Sequence, residues 1–288
     1  MDIDQELVSA AMAGDLGKVS ELLAQGADPM RESSRALRLA AKKGHEECVR
    51  LLLPVSDPVA EESYALRWAA ENGHVECVRL LLPASDPMAE DSCALRVAAR
   101  NGHVACLRLL MPVSDPTDRD SEALRLAAEN GHVECAKLLL PVSDPKERDS
   151  QALRFAAHNG HAECVKLLLS VSDPRPEESE ALRWALRWAA TYGHVECVRM
   201  LLAVSGLLGE IDGLLEEVFY RGHAKVAAVL IGEEPRLLDK INLSQCLAAA
   251  RENGHGNLAS YLSAIIDQRE LSGMDHDGLA SRHVARRI

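Results

Sequence analysis

The stretch Ala65-Leu66-Arg67-Trp68-Ala69-Ala70-Glu71-Asn72-Gly73-His74-Val75-Glu76-Cys77-Val78-Arg79-Leu80-Leu81-Leu82 decides the fold because it recurs. Its Gly73-His74 pair returns as Gly44-His45, Gly102-His103, Gly131-His132 and Gly160-His161, each 29 residues from the next. A fixed period of this size is the signature of a solenoid, in which each unit buries its apolar stripe against its neighbours. Within the unit, Leu66, Ala69 and Ala70 lie at helical spacing and predict a first helix over 65–72, with Ser63 as its N-cap. Gly73 ends that helix, since the position after a helix commonly takes positive φ. Residues 75–82 predict a second helix with Val75, Cys77, Val78, Leu81 and Leu82 available to the core. Pro83 stops it, and Pro83-Ala84-Ser85-Asp86-Pro87 is turn chemistry. Two short helices cannot bury their faces alone; stacked, they can.

The Ala-Ala-x-x-Gly-His segment, followed four residues after the His by Val-x-x-Leu-Leu, resembles an ankyrin repeat. The first unit also carries that family's ending, Leu22-Leu23-Ala24-Gln25-Gly26-Ala27-Asp28-Pro29. Matching units centre on Gly14, Gly44, Gly73, Gly102, Gly131, Gly160, Gly193, Gly222 and Gly254. The resemblance implies an all-α, ankyrin-type helical solenoid of about nine helix-turn-helix repeats.

The departures are informative. The family's period is about 33 residues, and the shortfall lies between the second helix and the next first helix. Gly-Ala-Asp has become Ser-Asp-Pro (Ser56-Asp57-Pro58, Ser85-Asp86-Pro87, Ser114-Asp115-Pro116, Ser143-Asp144-Pro145, Ser172-Asp173-Pro174), and Thr-Pro-Leu-His has become x-Ala-Leu-Arg. Shortened loops are expected in place of β-hairpin fingers. The column Arg38, Arg67, Arg96, Arg125 and Arg154 is expected to replace the lost Thr-His network. These arginines would reach carboxylates or carbonyls of a neighbouring turn, with Asp57, Asp86, Asp115, Asp144 and Asp173 beside them.

One domain is expected over 1–265, with a capping repeat at 1–35, regular repeats at 36–202 and divergent repeats at 203–265. Residues 266–288 read as a flexible polar and basic tail, with a short partner-binding or secretion signal as the alternative. Ala181-Leu182-Arg183-Trp184 is duplicated at once as Ala185-Leu186-Arg187-Trp188. Four residues are close to one turn, so a first helix one turn longer at its N-terminus is the simplest outcome.

The composition, 47% hydrophobic but only 3% aromatic, suits thin, closely packed helices. A formal net charge of -12 argues against nucleic acid as a partner. No window holds 18 consecutive apolar residues, and the N-terminus lacks the basic then apolar run of a signal peptide. The unpaired cysteine column, read as buried hydrophobes in a reducing compartment, gives the expectation of a cytoplasmic protein, or one in a host cytoplasm if a delivered effector. Cys48, Cys77, Cys106, Cys135, Cys164 and Cys197 share one column and read as small buried hydrophobes. His45-x-x-Cys48 and its copies lack the close Cys pair of a structural zinc site, so no metal and no cofactor are expected. Periodic Cys and His do not make a unique catalytic dyad, and no phosphate-binding loop occurs, so no catalytic residue is assigned.

What remains is surface. In the resembled family the concave face is built from first-helix positions just before Gly-His and from the finger tips. Carried over, these are Lys42, Lys43, Glu71, Asn72, Arg100, Asn101, Glu129, Asn130, His158, Asn159, Thr191 and Tyr192. They vary between copies where the core columns do not; solvated positions free to drift are the competing reading. The loop tips are acidic at Glu61-Glu62, Glu90-Asp91, Asp118, Asp120 and Glu177-Glu178. The expected role is a monomeric, non-catalytic scaffold holding a protein with a basic or mixed-charge surface, as adaptor, inhibitor or effector. A structural or decoy array without a specific partner, or a regulatory subunit of an enzyme, are the alternatives.

Overall fold

The computed structural model describes residues 2–171, 180–205, 213–233 and 235–284. Ser172-Asp173-Pro174, Glu177, Glu178, Arg286 and Arg287 lie outside the described residues. Two compact units are present: residues 1–156 with 161–172, and residues 157–160 with 173–288.

The first unit is a run of helix pairs: α1 (Ile3–Ala13) with α2 (Leu16–Ala24), α3 (Arg31–Lys43) with α4 (Glu46–Leu52), α5 (Ala60–Glu71) with α6 (Val75–Leu81), α7 (Ala89–Arg100) with α8 (Val104–Leu110), and α9 (Asp118–Glu129) with α10 (Val133–Leu139). It continues through α11 (Glu147–His158), whose last two residues belong to the second unit, and ends on α12 (Ala162–Leu169). The second unit holds α13 (Glu180–Thr191), α14 (Val195–Ser205), α15 (Leu214–Tyr220), α16 (Ala224–Glu233), α17 (Leu243–Glu252) and α18 (Gly256–Val284). Among the described residues there is no strand.

Each pair follows from its sequence. Leu66, Ala69, Ala70, Cys77, Val78 and Leu81 are fully or almost fully buried. Paired alanines let neighbouring first helices approach closely. At the end of α5, Gly73 takes φ +76°, while the His74 N–H donates to the Ala69 carbonyl at 2.9 Å. This is a Schellman-type ending, which a side chain at Gly73 would strain. Pro83 sits in a short 3-10 turn over Leu82–Ala84 that closes α6.

The loops depart from expectation in a specific way. Glu61, Glu62 and Ser63 all lie in the left-handed region, at φ 48°, 58° and 60°. Residues 32–34, 90–92 and 119–121 repeat this left-handed turn. Ser63 is therefore not an N-cap. It is buried, and its Oγ accepts the Asp86 N–H of the next repeat at 2.8 Å. The same bond joins Asp57 to Ser34, Asp115 to Ser92 and Asp144 to Ser121. Left-handed residues other than Gly cost about 1–2 kcal/mol each, and these cross-repeat bonds help hold them.

In the second unit α13 has no residue of positive φ and runs regularly from Glu180, so the Trp184 duplication adds one N-terminal turn. The final helix continues to Val284, well past residue 265. Gln268 to Leu271 contain no breaker, Arg269 pairs with Asp239 at 2.9 Å, and Gly273 and Gly278 weaken a helix without stopping it.

Candidate functional site

Two positions lie between each Ala-Ala pair and its Gly. The first is held from behind through its backbone. His74 Nε2 donates to the Lys42 carbonyl at 3.0 Å, and His103 Nε2 to the Glu71 carbonyl at 3.0 Å. His45 does the same to Met12, while its neighbour Cys48 points into the core. Imidazole and thiol thus diverge. The His ring also fills the space beside the preceding Gly: a Cβ on Gly73 would stand 2.5 Å from His103 Nδ1. The ring locks two repeats together and fixes the backbone from which the outer side chains project.

In the first unit Lys43, Glu71 and Arg100 are exposed. Lys42 Nζ lies 4.4 Å from the centre of the Trp68 ring, in cation–π range. Glu129 pairs with Arg125 at 2.8 Å. The asparagines serve the fold more than was expected. Asn72 and Asn130 donate to the carbonyls of Trp68 and Leu126 at 2.8 Å, and Asn101 donates to the Glu71 carbonyl at 2.7 Å. Each amide is a second donor: Trp68 and Leu126 already accept the backbone N–H of the same asparagine, and Glu71 already accepts His103 Nε2.

In the second unit His158 Nδ1 is 2.9 Å from Asn159 Oδ1, and its ring stands edge-on to Tyr192 at 4.3 Å and to Trp188 at 5.5 Å. Tyr192 is 47% exposed, with the Arg221 guanidinium 5.7 Å from its ring centre. Thr191 is a correction: it is 6% exposed and offers nothing to a partner. Its short side chain does not extend past its neighbours as Lys, Glu or Arg do there, and its carbonyl accepts His223 Nε2 at 3.0 Å.

A family model described as ankyrin repeats in three copies matches residues 7–91, 84–149 and 124–208. The chain belongs to the ankyrin-repeat family. No curated protein matches the sequence. Ankyrin repeats are generally protein–protein interaction modules. Among the described residues no helix is long and apolar enough to cross a membrane.

This ankyrin array replaces the family's Thr-Pro-Leu-His network with arginine. Arg38 donates to Glu61 and to the Glu32 carbonyl, each at 2.7 Å. Arg67 reaches Glu90 at 2.7 Å, and Arg96 reaches Glu122 while holding the Glu90 and Asp91 carbonyls at 2.8 and 3.0 Å. Arg38 and Arg67 do tie adjacent loops, pairing with the crest glutamates Glu61 and Glu90. The carboxylate of Arg96 is Glu122, one residue past the next crest, and Arg125 pairs with Glu122 and Glu129 of its own helix. The expected aspartates instead close their own turns: Asp57 accepts the Val59 N–H at 3.0 Å and Asp86 the Met88 N–H at 2.9 Å. At the crest of the α5 loop, the Glu90 hydrogen bond and its like charge push the Glu62 carboxyl above its ordinary value of 4.5. Burial, the leading cause, pushes the thiols of Cys77, Cys106, Cys135, Cys164 and Cys197 up to about 11, which leaves them unreactive.

Sequence reasoning passed over one column of this face. Leu39, Trp68, Val97, Leu126, Phe155 and Trp188 are half-buried beside the arginine column. Tyr64 packs on Trp68 at 4.6 Å, and Trp184 lies 6.2 Å from Trp188 and is 40% exposed. A bulky apolar residue at one fixed place in each unit was the available signal.

Proposed function

We propose that this chain is a non-catalytic recognition scaffold that holds a protein partner on its first-helix face. The observation that carries the reading is the division of labour before each Gly-His. The backbone of Lys42 and Glu71 is bonded to the next repeat's histidine, while Lys43, Glu71 and Arg100 present different charges to solvent. Side chains held on a rigid frame lose little ordering entropy on binding. The outward groups mix both signs and the crests are acidic, which fits a partner with a basic or mixed-charge surface. An adaptor, inhibitor or delivered effector acting as a monomer in a cytoplasm fits this use.

Photo-crosslinking tests it. A benzophenone amino acid placed at Lys43 or Arg100 is expected to capture a discrete protein from lysate, and the same probe at Arg50 on α4 is expected to capture none. Equal labelling from all three positions, or none from any, removes this face as the site and favours an array without a specific partner.

A further inference from the structure

The repeats serve as controls for one another, and near the C-terminus two columns break together. The arginine column of α3 to α13 (Arg38, Arg67, Arg96, Arg125, Arg154, Arg187) becomes Glu216 in α15 and Ala248 in α17. The bulky column ending at Phe155 and Trp188 becomes Glu217 and then Ala249. Between α15 and α17 the loss of bulk at Ala249 leaves a groove of about 320 Å³, walled by Phe219, Tyr220, Gln245 and Cys246 with Glu216 at its rim.

The two carboxylates there differ. Glu217 is engaged by Arg187 at 3.3 Å and by Arg221 at 3.5 Å. Glu216 has no ion pair among the described residues and is exposed, and Tyr220 beside it is 73% exposed. In the first unit Arg38 and Arg67 of this column supply a guanidinium that pairs with a glutamate of the next loop. At α15 the polarity is reversed, and the helix supplies the carboxylate. A guanidinium is planar, forks onto carboxylates and stacks on aromatic rings, so a carboxylate beside an open tyrosine ring suits arginine better than lysine.

We propose that the Glu216 groove takes an arginine side chain of a protein partner, the guanidinium pairing with Glu216 and stacking on Tyr220. This rests on the protein-binding reading above and narrows it to one contact. Cys246 supplies the reporter. Every other cysteine is buried, whereas Cys246 is half-buried in the groove wall, and after burial itself the Glu216 charge is a further cause of its raised thiol pKa.

The test follows alkylation of Cys246 by iodoacetamide with peptide mapping, on the full chain. The probes are acetyl-Gly-Arg-Gly-amide and the same peptide with citrulline, which keeps the shape and loses the charge. With a dissociation constant of about 5 mM, about 10 mM of the arginine peptide slows labelling about threefold, while the citrulline peptide leaves the rate unchanged. Glu216→Gln and Ala249→Leu, each compared with its own peptide-free rate, abolish the slowing with an unchanged circular dichroism spectrum. No slowing by the arginine peptide, equal slowing by both peptides, or slowing that survives Glu216→Gln overturns the proposal. Because no partner protein enters the assay, its failure leaves the crosslinking test of the wider reading intact.

Discussion

The last helix pair, α17 with α18, and the pairs before it use the same Gly-His junction with different surroundings. At Gly73 the histidine ring of the next repeat presses on the glycine; at Gly254 the φ is much the same, +75°, but nothing stands within 4 Å of the place a Cβ would take. In the first unit Arg96 has a 10% exposed side chain and holds two carbonyls and a carboxylate, whereas Arg187 in α13 has a 43% exposed side chain and one contact at 3.3 Å. Columns that repeat strictly do structural work between neighbours. Columns that lapse release side chains, and Glu216 and Trp184 lie where they lapse.

Gly73→Ala gives the largest expected effect, about 3 kcal/mol by chemical denaturation, combining left-handed strain with overpacking against His103. Gly254→Ala carries the strain alone and loses about 1 kcal/mol. Equal losses would break the comparison. Arg96→Ala should destabilise by about 2 kcal/mol, since it removes a nearly buried side chain and its hydrogen bonds to Glu90, Asp91 and Glu122, while Lys43→Ala and Arg187→Ala each stay within about 0.5 kcal/mol. Comparable, negligible melting shifts for all three would remove the structural role of the arginine column. Ser63→Ala leaves the Asp86 N–H without its acceptor and should cost about 1 kcal/mol.

The smallest effect is a pH dependence. Because Glu62 holds its proton more tightly in the folded chain than in the unfolded one, folding loses stability as pH rises from the ordinary value of 4.5 through the raised folded value. Glu62→Gln should therefore melt higher than the unaltered chain at pH 7, and the gap should close below about pH 4. A gap that persists in acid would assign the gain to something other than the Glu90 repulsion.

The helix pairs were legible because their signals are local: Ala69-Ala70, Gly73, Pro83 and the Cys77-Val78-Leu81 stripe each act within a turn. The left-handed crests were not. Glu61-Glu62-Ser63 contains no Gly or Asn, and what stabilises it is an Asp86 N–H 23 residues away. The arginine partners were misplaced for the same reason, since Asp57 satisfies its own turn before any guanidinium reaches it. On the candidate face, Asn72, Asn101, Asn130 and Asn159 recur as regularly as the core columns do, so counting them with the variable positions missed a periodic signal that the sequence carried. Thr191 was read from its position, while its burial depends on side-chain length. Lys43, Glu71 and Arg100 remain the outward positions whose variation packing does not explain.

The most direct measurement is a paired readout on the Lys43→Ala/Glu71→Ala/Arg100→Ala variant: its thermal melt and the proteins it captures, beside the unaltered chain. The account expects coincident melts and loss of the captured partner. A lowered melt would show that these side chains belong to the fold, and unchanged capture with coincident melts would contradict recognition through this face.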